Sequence, residues 1–143
     1  MVTTTVFDAV IEVREVAPVT LMPGKAGQAR VTVAVTNGYH VQANPASSEF
    51  FVPTRLQLRA KGGVLPQAPV YPPGKSYRLE GMPEDLMTYE ETFDIFIPLE
   101  VNGSAPTGDR VLKGSLHYQA CDNVSCLFPA SVPVTIPVRV VAD

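Results

Sequence analysis

The sequence predicts an all-β chain folded as an antiparallel β-sandwich. Three observations carry that prediction. Apolar and β-branched residues alternate with polar ones in short runs. Pro, Gly and Asn punctuate those runs. No stretch of helix length places apolar residues at the helical period. Many short strands joined by Pro- and Gly-rich turns, with no helices to cover a sheet, make a sandwich of immunoglobulin-like type.

The elements follow in chain order. VFDAVIEV, residues 6–13, is the first strand run. ARVTVAV puts Val31, Val33 and Val35 on one face. TRLQLRA pairs Leu56 with Leu58, and TFDIFIPLEV aligns Phe93, Ile95, Ile97 and Leu99. GSLHYQA pairs Leu116 with Tyr118. VPVTIPVRVV aligns Val134, Ile136, Val138 and Val140. Alternation with a period of two is the mark of a half-buried strand. PEDLM, residues 83–87, is the best candidate for a single helical turn. In the last run Pro133 and Pro137 share a parity, so both missing N–H groups lie along one side. That suits an edge strand with its proline side to solvent, which also blocks edge-to-edge pairing.

Length and charge narrow the function. A chain of 143 residues suits one domain with a core of its own. The net charge is −3 and no basic run is present, which argues against nucleic-acid binding. The apolar runs fall far short of the ~20 residues of a membrane-spanning helix. The opening MVTTTVFDAVIEV has no basic segment followed by an apolar one, so no signal peptide is expected within it. No cofactor is called for.

The two cysteines lie in YQACDNVSC, with four residues between them. This segment reads as a hairpin tip near a sheet edge, with both cysteines exposed. As a staple, a loop of about six residues contributes only ~2 kcal/mol by chain entropy, against ~4.7 for a loop of about 100. Metal binding is the weakest reading: the spacing is not that of zinc sites, and nothing in the sequence brings His40 and His117 to the pair. Redox exchange needs two sulfurs that can pair and that a partner can reach. Asp122 beside Cys121 disfavours a thiolate there, and no Lys or Arg lies in the loop, so no strongly acidic cysteine is expected. On the residues alone, staple and redox centre both stay open.

Flanking residues add a resemblance. YQACDNVSCLFPASVPVTIPV resembles the active-site segment of the amino-terminal periplasmic domain of the thiol:disulfide interchange protein DsbD family, through Tyr118, Gln119, Ala120, Cys121, Cys126, Phe128 and Pro129. NGYHVQANPASSEFFVPTRLQL is similar to a second family segment through Gly38, Tyr39, His40, Asn44, Pro45, Pro53 and Thr54. YPPGKSY and TYEETFDIFIPLEV resemble its central region.

The resemblance implies an immunoglobulin-like sandwich with a redox-active pair, forming one domain over residues 1–143 of a longer membrane-anchored or multidomain protein. It implies a periplasmic location, with the membrane reached only through that parent chain. The implied activity is that of a thiol:disulfide oxidoreductase. A thioredoxin-like domain is the implied electron donor, fed by a membrane-embedded domain. A disulfide isomerase or a cytochrome c maturation thioredoxin is the implied acceptor. By position, Cys126 forms mixed disulfides and Cys121 resolves them. His40 and Gln42 fall beside the pair, with Tyr118 and Phe128 as further surroundings.

Two departures stand out. The best-known bacterial members have one more residue between the cysteines. They also shield the disulfide with a cap-loop phenylalanine, whereas the matching stretch LEGMPEDLM has none. Met82, Leu86 or Met87 are the candidates to replace it, since methionine packs softly against sulfur. The competing class of function is a non-catalytic binding sandwich with a local structural disulfide. His117, which alternates away from Leu116 and Tyr118, reads as a solvent-facing strand residue. Glu84, Asp85, Glu90 and Glu91 read as a solvated acidic face.

Overall fold

The computed structural model describes residues 6–142. Thirteen strands follow in order: β1 (Val6–Phe7), β2 (Ile11–Val13), β3 (Val19–Leu21), β4 (Ala26–Val35), β5 (His40–Gln42), β6 (Arg55–Leu58), β7 (Val64–Pro66), β8 (Lys75–Tyr77), β9 (Leu86–Tyr89), β10 (Thr92–Val101), β11 (Gly108–Tyr118), β12 (Ala120–Cys121) and β13 (Ala130–Val140). They form three sheets, in the orders β1-β2-β4-β10-β7, β3-β13-β11-β6 and β12-β5-β9-β8. The first two are the layers of an immunoglobulin-like sandwich, and the third is a small sheet that carries the cysteines. Among the described residues no helix is long and apolar enough to cross a membrane.

The long strands follow their alternation. Val31, Val33, Ile95, Ile97 and Leu99 from one layer are buried, as are Leu112, Leu116, Val134, Ile136 and Val138 from the other. They belong to one apolar cluster. Each such side chain contributes about 1.5–3 kcal/mol by leaving water. Register makes the layers continuous: Ile95 lies opposite Val31 on β10 and β4, and Leu112 opposite Ile136 on β11 and β13. Gly114 is required where β6 pairs with β11, because a Cβ there would overlap the Gln57 carbonyl.

Two expectations are corrected. Residues 6–13 are a hairpin of β1 and β2 rather than one strand. Asp8 reverses the chain, its Oδ1 accepting from the N–H groups of Val10 (2.8 Å) and Ile11 (2.9 Å). Short Asp side chains do this by bonding backbone two or three residues on. PEDLM forms no helical turn: Leu86 and Met87 begin β9, which pairs with β8 (Leu86 with Tyr77, Met87 with Ser76). Pairing thus wins over a weak local propensity. The antiparallel sandwich expected from the sequence is what forms, with one parallel pairing, of β3 with β13 along Val138–Val140. β13 lies between β3 and β11 rather than at the sheet edge, but among the described residues no strand pairs with its other side over Ala130–Pro137, the stretch that holds both prolines.

Candidate functional site

The small sheet has two faces, set by strand parity. Val41, Tyr89 and Ala120 point into the sandwich core, with Met87 packed beside them. His40, Gln42, Leu86 and Cys121 alternate with these and occupy the other face. Register brings the second set together: Cys121 lies opposite His40, and Gln42 opposite Thr88. A separate apolar cluster sits there, made of Leu79, Leu86 and Cys121 with Phe51, Tyr77, Met82 and Cys126.

Cys121 and Cys126 are joined as a disulfide, with Cα atoms 3.9 Å apart. They face each other across a tight hairpin. Backbone bonds flank the pair, from Asp122 N–H to Ser125 C=O (2.9 Å) and from Leu127 N–H to Ala120 C=O (2.8 Å). The Asp122 carboxylate closes the turn by accepting from the N–H groups of Val124 (2.9 Å) and Ser125 (2.8 Å). Those two bonds hold its carboxyl below the usual aspartate range. Both cysteines were expected to be exposed, and only one is accessible. Cys121 is 0% exposed, because β12 adds to β5 and the cluster closes over it. Cys126 is half-buried. Of the two cysteines, Cys126 is the one that solvent reaches.

One polar side chain reaches the buried sulfur, and others tie the small sheet together around it. Gln42, fully buried, donates from Nε2 to Cys121 Sγ at 3.3 Å, while its Oε1 has no partner. The His40 ring stacks on Tyr77 with centroids 3.7 Å apart. Its Nε2 lies 2.9 Å from Glu90 Oε2, and its Nδ1 is buried without a partner. The Tyr77 hydroxyl reaches the Asp122 carbonyl and Asn123 Oδ1, both at 3.3 Å, tying β8 to the cysteine turn. Gln119 braces the approach from the other side. Its Oε1 accepts from Val52 N–H (2.8 Å) and its Nε2 donates to Leu127 C=O (3.1 Å).

The residues named from sequence separate into two groups. His40, Gln42, Met82 and Leu86 gather with Cys121 and Cys126. Met87 does not, because the parity that brings Leu86 to the disulfide turns Met87 to the sandwich core. Tyr118 is also in that core, where its hydroxyl donates to Asp8 Oδ2. Burial and that bond push the Tyr118 phenol up. Phe128 stands 93% exposed, away from the cluster. Sequence reasoning missed Phe51, Tyr77, Leu79 and Glu90. A signal for Phe51 lay in the quoted family segment, where it follows Phe50 in an otherwise polar loop. Tyr77 closes the YPPGKSY segment in the same way. His117 is half-buried on β11 between Arg55 and Ser131. Among the described residues no group of three or more His, Cys, Asp or Glu converges on a common point.

The family model for the amino-terminal part of the thiol:disulfide interchange protein DsbD matches residues 8–136. The chain belongs to this family. No curated protein matches it in sequence. The solved structures that it resembles include two N-terminal domains of this kind. The N-terminal periplasmic domain of ScsB from Proteus mirabilis superposes with a TM-score of 0.62 at 15% identity, over 94% of this chain. The chain spans 50% of the length of that ScsB structure. The DsbD N-terminal domain of Neisseria meningitidis, in its reduced form, superposes with a TM-score of 0.51 at 13% identity, over 82% of both chains. With its disulfide-bonded pair, this DsbD-family domain is a thiol–disulfide exchange module in the general sense.

Proposed function

We propose that this domain relays reducing equivalents from a thioredoxin-like donor to oxidised proteins of the periplasm, as a protein-disulfide reductase component. The observation that supports this most directly is the unequal burial of the two sulfurs. Reduced Cys126 attacks a partner disulfide and forms a mixed disulfide, releasing one partner thiolate. Cys121 then attacks Cys126 Sγ, expels the second partner thiolate and closes the Cys121–Cys126 bond. Two electrons pass to the partner. Phe51, Leu79, Met82 and Leu86 take the place of the cap phenylalanine, keeping stray thiols from the pair until a partner displaces them. A disulfide isomerase and a cytochrome c maturation thioredoxin are the acceptor classes to try first.

The test mixes reduced protein with an oxidised thioredoxin-like domain and follows thiol transfer. Transfer is expected, with a trapped mixed disulfide through Cys126 in a Cys121→Ala variant. No transfer and no trapped species, with a reduction potential below about −300 mV, would instead support a binding sandwich with a structural bridge.

A further inference from the structure

Gln42 is matched only in part to its surroundings. Its side chain is fully buried, yet one of its two polar atoms has no partner and the other is spent on a disulfide sulfur at 3.3 Å. The strand does not need that side chain. The Gln42 backbone is held independently, N–H to Gln119 C=O (2.9 Å) and C=O from Thr54 N–H (3.1 Å) and Oγ1 (2.7 Å). A disulfide sulfur is a weak acceptor, so burying a primary amide against it is a net cost. A thiolate in the same place is a much better acceptor, because hydrogen bonds to ionised groups are shorter and stronger. The amide is therefore better suited to the opened pair than to the closed one.

We propose that Gln42 is a positioning residue for exchange, its side-chain amide stabilising the Cys121 thiolate whenever the Cys121–Cys126 bond is open. The proposal rests on the exchange role given above. An external thiolate attacks Cys126 Sγ and bonds to it. The Cys121–Cys126 bond breaks, and its electron pair goes to Cys121 Sγ, which leaves as the thiolate where the Nε2–H already points. When that thiolate takes a proton from solvent, rotation of the amide presents the unmatched Oε1 to the S–H. In the reverse step the amide keeps Cys121 deprotonated for its attack on the mixed disulfide. The effect opposes burial, which disfavours a charged sulfur. It also gives the bond a direction, with Cys126 as the sulfur attacked and Cys121 as the one that leaves.

The test compares Gln42 with Gln42→Met, which keeps the volume and removes the donor. In a Cys126→Ser background the Cys121 thiolate is titrated by its ultraviolet absorbance. Its midpoint is expected to move up by about one pH unit in the Met variant. With both cysteines present, cleavage of the disulfide by dithiothreitol is expected to slow roughly tenfold. The titratable neighbours His40 on β5, Glu90 after β9, Lys75 on β8 and Asp122 in the turn are common to both proteins, so the difference reports on the amide. Equal midpoints and equal rates would overturn the proposal. If the Met variant misfolds, the wild type decides: the Gln42 side-chain amide resonance of the reduced protein must move with the Cys121 thiolate, and an amide blind to that titration overturns the proposal equally. No measurement here uses a partner protein, so a failure of partner transfer is separable from a failure of the Gln42 role.

Discussion

The sandwich and the small sheet beside it bury side chains in different ways. In the sandwich the buried set is mostly Val, Ile and Leu, drawn largely from four strands of ten and eleven residues. The small sheet has strands of two to four residues. Yet Gln42 and Thr88, two of the three buried polar side chains among the described residues, lie in it, and the third, Thr54, bonds to Gln42. Long ladders and apolar contacts supply stability in one region. In the other, a few short strands hold a sulfur in a small apolar cluster with one buried amide against it. Because the disulfide has a cluster of its own, its opening is expected to leave the sandwich core in place.

The largest effect is expected inside one sandwich layer, where β6 and β11 leave no room for an added atom. Gly114→Ala drives a methyl into the Gln57 carbonyl, and we expect a loss of about 3 kcal/mol in urea unfolding. Gly74→Ala, beside β8, meets the Ala43 methyl at 2.7 Å and should cost about 1 kcal/mol, since an edge strand can give. Equal losses would break the contrast between the regions.

Reduction comes next. Opening a bridge with a sequence separation of 5 should cost no more than about 2 kcal/mol by urea unfolding of the oxidised and reduced forms. Amides of β5, β9 and β12 should lose exchange protection while those of β4, β10, β11 and β13 keep theirs. Loss of protection across the sandwich would show that the two regions are one cooperative unit.

Tyr118→Phe is expected to cost about 1 kcal/mol at neutral pH, by removing the hydroxyl that bonds Asp8. Burial raises the Asp8 carboxyl, but its bonds from Tyr118, Ile11 and Val10 outweigh this and leave it lowered. A lowered carboxyl contributes stability above its unfolded value near 3.9 and loses it as pH falls through the folded value. The difference between wild type and Tyr118→Phe should therefore shrink below about pH 4. A difference that stays constant down to pH 2 would show that the bond is not the cause.

The smallest effect lies at the junction of the regions. Glu91, between β9 and β10, has a positive φ of 59°. Glu91→Gly should raise the unfolding free energy by less than about 1 kcal/mol, the relief of the left-handed conformation offsetting glycine's entropy. A loss of stability would mean that the Glu91 side chain matters more than its backbone.

The main strands of the sandwich were legible because they are long enough for alternation to show. Val31, Val33 and Val35 announce their face, and so do Phe93, Ile95, Ile97 and Leu99. The small sheet was not legible, because strands of two to four residues carry too few positions for a period. The reversal at Asp8 was missed for a related reason: VFDAVIEV is apolar enough to read straight through. The cysteine pair stood out at once, but the burial of Cys121 did not. It depends on pairing with His40, far away in the chain, and no local pattern reports a long-range pairing. Gln42 and His40 were reached only through the family resemblance. Leu86 and Met87 could not be told apart until the pairing of β9 with β8 set their parity.

The two faces of the small sheet have a consequence for length variation in this family. Asn123 and Val124 lie beyond the last ladder bond, that of Asp122 with Ser125. A residue added there lengthens a surface turn and leaves every side chain on its present face. A residue added between Ala120 and Cys121 would rotate the cysteine into the sandwich core and put its neighbour against Gln42. Spacing between the cysteines is thus free to drift by insertion and deletion, which accommodates four residues here and five in other members. The parity of Cys121 with His40 and Gln42 has no such latitude, so it is the better feature to match when a distant sequence is aligned to this one.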